Sequence, residues 1–279
     1  MQISPELVFW YGLLLKMAMT AVVVVVTSVA VERAGAFIGA LIAALPTAAG
    51  AAYVILAIEH PPSFIAASAI GSVAVSAAVS IFSAVYILLA QRHNLLLSLS
   101  VSLLVWFAAT TVFRLVDWTP LTAVLLNVVV FGVTVPLSWR YRETGPPKKF
   151  LRTRYDIPLR AIAAAIVVAI VTTASYRIGS FASGMFALFP IILCSSIVIL
   201  HPRVGGKATA SMLAHAQIAF VGLSLGFVAV HYTAVPLGSW WAFVVGLAVC
   251  VAWSGMLMFL RLRKMKRDVL KATSAQASP

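Results

Sequence analysis

Apolar residues run through this chain in long unbroken stretches, and the polar positions gather at their ends. Reading the runs against the breaks gives nine candidate membrane spans, at 7–31, 35–58, 64–90, 95–115, 120–139, 159–176, 179–200, 208–230 and 237–260. Each is close to the ~20 residues that a helix needs to cross the hydrocarbon of a bilayer. The runs are continuous rather than alternating, which selects helices over a β-barrel. Helix ends are marked by His60-Pro61-Pro62, Asp117-Trp118-Thr119-Pro120 and His201-Pro202-Arg203-Val204-Gly205-Gly206. Trp118, Trp139, Trp240 and Trp241 fall at predicted interfaces, where indole rings settle. The pattern predicts an all-α, polytopic membrane helix bundle of about nine transmembrane helices. The first run leads directly into a further span, so it reads as a span and not as a cleaved signal peptide.

Composition excludes a soluble globule. Of 279 residues 62% are hydrophobic and only 10% charged, too few charges to cover a water-facing surface. The formal charge of +13 comes from 20 Lys and Arg against 7 Asp and Glu. Most cations lie in two segments, 140–160 and 261–271, each flanking an apolar run. There they act as topology signals, and no nucleic-acid partner is expected. With the 140–160 segment placed in the cytoplasm, Arg33, Arg92, Arg203, Lys207 and the tail cations fall on the same side. Only Arg114 and Arg177 fall outside, and Lys16 lies within the first span. Nine spans then put the N-terminus outside and the C-terminus in the cytoplasm of a bacterial inner (plasma) membrane.

An internal repeat is the most informative feature. Shifted by 144 residues, 16–46 lies on 160–190 without a gap. Ala21, Val23, Val24, Ala30, Arg33, Gly35, Phe37, Ala43 and Pro46 meet identical residues, and Lys16 meets Arg160. Val54-Ile55-Leu56 meets Val198-Ile199-Leu200, and after a short slip His60-Pro61 meets His201-Pro202. The first copy begins at span one and the second at span six, an odd offset that makes an inverted-topology repeat. The organisation expected is a first membrane repeat at 1–139 with five spans, a basic cytoplasmic loop at 140–158, a second, inverted repeat at 159–261 with four spans, and a basic cytoplasmic tail at 262–279. The end of the tail, after Lys271, reads as disordered.

Pro46 and Pro190 sit near the centres of spans two and seven. Proline removes an N–H and clashes with the preceding turn, so each helix is kinked or broken there. A pair of interrupted helices at matching positions points to a transport site near mid-membrane, although single prolines also kink membrane helices without function.

Both copies resemble the GlpM family, small four-span bacterial inner-membrane proteins. Gly12-Leu13-Leu14-Leu15-Lys16, the Ala/Val-rich run after it and Leu45-Pro46-Thr47 are similar to that family's first two spans. Arg160 and Ala187-Leu188-Phe189-Pro190 fit the same pattern in the second copy. The resemblance implies a fused antiparallel pair of such units and supplies no substrate. Spans three to five match poorly, and one of them has no counterpart in a four-span unit.

The candidate site residues are few. Lys16 lies about three turns into span one, where a cation either snorkels or faces a polar cavity. Arg33 and Arg177 close the first helix of each copy, complementing its dipole or offering a guanidinium to a carboxylate or phosphate. His215 falls near the middle of span eight, where an ionisable ring is a functional candidate or a bond between helices. His60 and His201 occupy the His-Pro turns as gate or turn residues. Asn127 is expected to bond across helices. None of the seven acids is near a span centre. Cys194 and Cys250 lie within apolar runs, giving no disulfide framework and no metal spacing. No catalytic triad, HExxH or Cys/His cluster is present, so no enzyme activity, metal or cofactor is expected.

These observations predict a small secondary transporter or exporter of an anionic small solute, working by alternating access. Substrate contact is expected at Lys16, Arg33, Pro46, Arg177, Pro190 and His215. The alternative is a non-transporting accessory or scaffold subunit of an envelope complex. The partners expected are the lipid bilayer and an anionic small molecule, with homo-oligomerisation left open.

Overall fold

The computed structural model describes the backbone of residues 5–33, 47–142 and 155–276, and the side chains of 10–26, 49–142, 155–260 and 262–263. The described residues form nine helices and no strand: α1 (Pro5–Arg33), α2 (Thr47–Glu59), α3 (Pro62–Leu89), α4 (Leu95–Arg114), α5 (Pro120–Trp139), α6 (Asp156–Ala187), α7 (Ile191–Val204), α8 (Gly206–Leu237) and α9 (Ser239–Gln276). The starts of α2, α3 and α4 recur 144 residues later as the starts of α7, α8 and α9. α5 lies between the two series.

α3 is the central post, packed against α8, α6, α5 and α4. Its sequence explains the position. Alanine, serine and glycine dominate its surface, so neighbouring backbones approach closely. Gly71 lies against the carbonyl of Phe181, and Gly184 against that of Ser68, with no space for a Cβ at either. α1 packs on α6 and α2, and α9 packs on α8.

The outer helices are amphipathic in the sense opposite to soluble proteins. On α5 the buried face carries Ala123, Asn127, Phe131, Thr134 and Ser138, while Leu121, Leu125, Val128, Val129 and Val133 are exposed. α4 likewise buries Ser98, Ser102, Trp106 and Thr110 and exposes Leu96, Leu104 and Val112. Hydrocarbon removes the cost of the outer face, and the inner polar groups find partners on neighbouring helices. This is an integral membrane protein.

Six stretches of the described residues, not nine, are long and apolar enough to cross a membrane. Predicted spans six and seven fall in one 49-residue run, Asp156–Val204, because the chain turns between them on a single glycine. Span one contributes the shorter Trp10–Val26, and span two contributes Ala49–Glu59, since 34–46 lies outside the described residues. The basic loop also lies largely outside them. The tail, read as disordered after Lys271, continues α9 to Gln276. Lysine and alanine there are good helix formers, and proline comes only at the last residue.

Candidate functional site: a broken helix between two histidine turns

The second copy contains a helix in two pieces. α6 is interrupted at Gly179, where φ is 79° and ψ is 173°. That left-handed φ suits glycine, which has no Cβ to clash. A short arm, 180–187, leads back into the bundle and ends at Leu188-Phe189-Pro190. α7 begins one residue after Pro190. At the break the Phe189 N–H donates to Phe186 O at 3.0 Å, and the Ile191 N–H to Phe189 O at 2.7 Å. Pro190 caps α7 without a side-chain hydrogen bond. Phe189 stands edge-on to Trp106, ring centroids 5.1 Å apart, and the buried Trp106 Nε1 has no hydrogen-bond partner among the described residues.

The arm crosses α3 at a serine that also receives α2. Ser72 Oγ donates to Gly184 O at 2.7 Å, so its remaining contact, Tyr53 at 2.7 Å, is one in which the phenol donates. Ser72 thus joins the helix after the first proline to the arm before the second. Ser76 and Ser80 continue the same face of α3. Ser76 Oγ donates to Asn127 Oδ1, and Asn127 Nδ2 to Val73 O, both at 2.7 Å. Ser80 donates to Gln217 Oε1, contacts Thr134, and receives Gln217 Nε2 at its carbonyl. Asn127 bonds across helices as expected.

The two His-Pro turns lie at opposite ends of α3. At its start, His60 Nε2 meets Ser175 Oγ of α6 at 2.9 Å, and the ring stacks on Phe64 at 3.8 Å. Tyr176 lies against the same ring and donates its hydroxyl to Glu59 O. Glu59 forms an ion pair with Lys16. Burial holds the His60 ring below its ordinary pKa of 6.5, with Lys16 adding to that effect and Glu59 opposing it. At the other end, Tyr86 Oη meets His201 Nδ1 at 2.6 Å, and Gly206 abuts the carbonyl of Ala90. Arg203 grips Asp156 through two bonds, of 2.9 and 3.0 Å. An ion pair therefore ties the end of α2 to α1 and another ties the end of α7 to α6, with the charges reversed between the two.

The predicted site residues divide on this geometry. Pro190 stands at the break. His60 and His201 each join one copy to the other. Lys16 lies against Glu59 and is not free. Arg177 is exposed just before the Gly179 kink. The Arg33 side chain and Pro46 lie outside the described residues. His215 is exposed and bonds Ser211 O of its own helix, at 2.8 Å, while Gln217 two residues on enters the core network. A cavity of about 290 Å³ opens between α1, α2, α8 and α9. Its wall includes Met19, Tyr53, Phe227, Val230, Phe243 and Cys250, and the largely apolar lining gives an anion no partner.

Sequence reasoning missed Tyr53, Trp106, Gln217 and the serine row Ser68, Ser72, Ser76 and Ser80. The strict four-residue spacing of that row was its signal. No protein-family model matches this chain, and no curated protein or solved structure matches it either.

Proposed function

We propose that this protein is a secondary transporter of an anionic small solute, built from two inverted four-helix units joined by α5. The observation that carries the reading is the meeting of α2 and the arm before Pro190 on Ser72 of α3. A membrane helix interrupted within the bundle is where a solute binds in this class of architecture. Three further observations support it. Helix starts recur at one offset, the counterpart helices α1 and α6, and α3 and α8, pack on each other, and the His-Pro turns sit at opposite ends of the bundle.

An anion suits the break at Pro190 because α7 begins there. A helix start carries a partial positive charge, and the buried Trp106 N–H, which has no partner among the described residues, adds a donor. Arg177, exposed beside the kink, is the cation placed to attract an anion from that end. The orientation is N-terminus out in a bacterial inner membrane, with the GlpM-like unit as its ancestor. In alternation, the His60–Ser175 contact opens while His201–Tyr86 stays closed, and then the reverse.

The test is uptake of a panel of radiolabelled organic anions by everted vesicles. Accumulation above vector-only vesicles, lost in Pro190→Ala, is expected. Equal uptake with and without the protein would remove the transport reading. The rival, a non-transporting envelope subunit, draws on the well-satisfied contacts of Ser72, Ser76 and Ser80, which suit a rigid bundle. It predicts no uptake and unchanged assembly in Pro190→Ala.

A further inference from the structure

We propose that the slot between α1, α2, α8 and α9 is a binding site for one acyl chain of a membrane lipid. The inference is independent of the carrier reading, since it concerns what fills this space and not what the protein moves.

The chemistry of the wall decides the occupant. Among the described side chains around this space of about 290 Å³, only Thr20, Tyr53 and Cys250 carry polar atoms, and each is already engaged. Thr20 donates to Lys16 O at 2.9 Å, Tyr53 meets Ser72 at 2.7 Å, and Cys250 Sγ lies 3.5 Å from Gly222 O. A water held here needs about two to four polar partners, which this wall does not offer. Left empty, the lining atoms forfeit their dispersion contacts across the gap. Hydrocarbon is what remains, and the bilayer supplies it.

The slot opens where a lipid can enter. α1 packs on α6 and α2 while α9 packs on α8, so the seam between α1 and α9 faces the membrane. Met19 and Val23 on one lip and Leu247 on the other line the slot and are also exposed outside it. The lining runs from Leu223 to Val230 on α8 and from Phe243 to Cys250 on α9, so the slot extends ~10 Å along the helices. An acyl chain in a bilayer lies in that same direction. Tyr53, Phe227 and Phe243 stand together toward the start of α9, where Trp240 and Trp241 are exposed as interface residues. Cys250, at the deep end, lies ~16 Å into α9 from Ser239, about half the ~30 Å of hydrocarbon. The occupant is therefore a tail from the leaflet at the start of α9, reaching to mid-membrane.

The other half of the chain fills the equivalent space with its own side chains. At the offset of 144 that relates the helix starts, Gly226 corresponds to Phe82 and Cys250 to Trp106. Phe82 and Trp106 are fully buried, and Trp106 packs edge-on to Phe189. Where α3 and α4 insert two large rings, α8 and α9 present a glycine and a cysteine. Tyr53, Phe227 and Phe243 stand where the other half has Ile197, Ser83 and Leu99. Bulk thus sits at the mouth of the slot here and in its depth there.

The experiment uses the full chain in nanodiscs of phosphatidylethanolamine and phosphatidylglycerol, doped with a phospholipid bearing a diazirine on one acyl chain. After irradiation, adducts are mapped by peptide mass spectrometry and normalised to those on Val128 and Val129, which are exposed on α5. Adducts are expected on the buried Tyr53 and Phe227 as well as on the exposed faces. Moving the diazirine toward the methyl end should shift them from Phe243 toward Cys250. Gly50→Phe should abolish the adducts on Tyr53 and Phe227 and keep those on α5. A Cβ at Gly50 meets nothing within 4 Å, so the ring has room to enter the slot. Leu247→Trp, at the exposed lip, should lower the same adducts, and it decides the question if Gly50→Phe does not assemble. Adducts confined to the exposed faces of α4 and α5, as when residues 34–46 or another part of the chain fill the slot, overturn the proposal. So does labelling of Tyr53 and Phe227 that neither variant changes.

Discussion

At Gly184 the backbone of the re-entering arm touches the carbonyl of Ser68, and a methyl group has no room. The neighbour is backbone, so it cannot swing aside. Gly184→Ala is therefore expected to destabilise the bundle by about 1–3 kcal/mol or more, read as a lower Tm in detergent. A wild-type Tm would mean the arm does not cross α3 here. Ser72→Ala removes the atom that joins Tyr53 to Gly184, and interhelical hydrogen bonds in membranes are worth about 0.6 to 1.7 kcal/mol. A loss in that range is expected, with Tyr53→Phe costing less, because Ser72 keeps Gly184. His215 shows why charge is a poor guide at this scale. It drew attention as an ionisable ring in a span, yet Ala210, Leu213, Ala214 and Gln217 form the buried face of α8, and His215 is off it. The spacing of those four was legible; the ring's chemistry distracted from it. Lys16 was legible as a cation too deep to ignore, but its partner Glu59 is more than forty residues away and only the fold brings them together.

Among the elements, the break at Pro190 and the turn at Gly179 were readable because each has a local cause: a missing N–H in one, a left-handed φ in the other. The short arm between them was read only as the first half of span seven, since its apolar sequence carries no mark that it crosses α3 at Ser68 and Ser72. Pro190→Ala restores an N–H and allows α6 and α7 to run on toward one another. It is expected to leave Tm unchanged or raised while abolishing uptake, and loss of both would mean the proline serves packing alone. The serine row of α3 stayed hidden for a different reason. In an apolar run serine looks neutral, and its worth appears only when Asn127 and Gln217 arrive from other helices.

For the whole molecule, the exposed aliphatic faces of α4 and α5 and the polar faces behind them require lipid outside and paired polar groups inside. The repeat gave the large-scale plan: the offset of 144 that aligned Pro46 with Pro190 also relates the starts of three helix pairs. α5 has no place in either series, and an extra crossing between two like units would turn the second one over, as the proposed carrier requires.

The inversion itself is tested by placing single cysteines at the two His-Pro turns. Ser63 and Lys207, one beyond each turn, are both exposed. With Cys194 and Cys250 replaced by alanine, Ser63→Cys should react with a membrane-impermeant maleimide in intact spheroplasts and Lys207→Cys only in everted vesicles. Labelling of both from the same side would contradict the antiparallel arrangement.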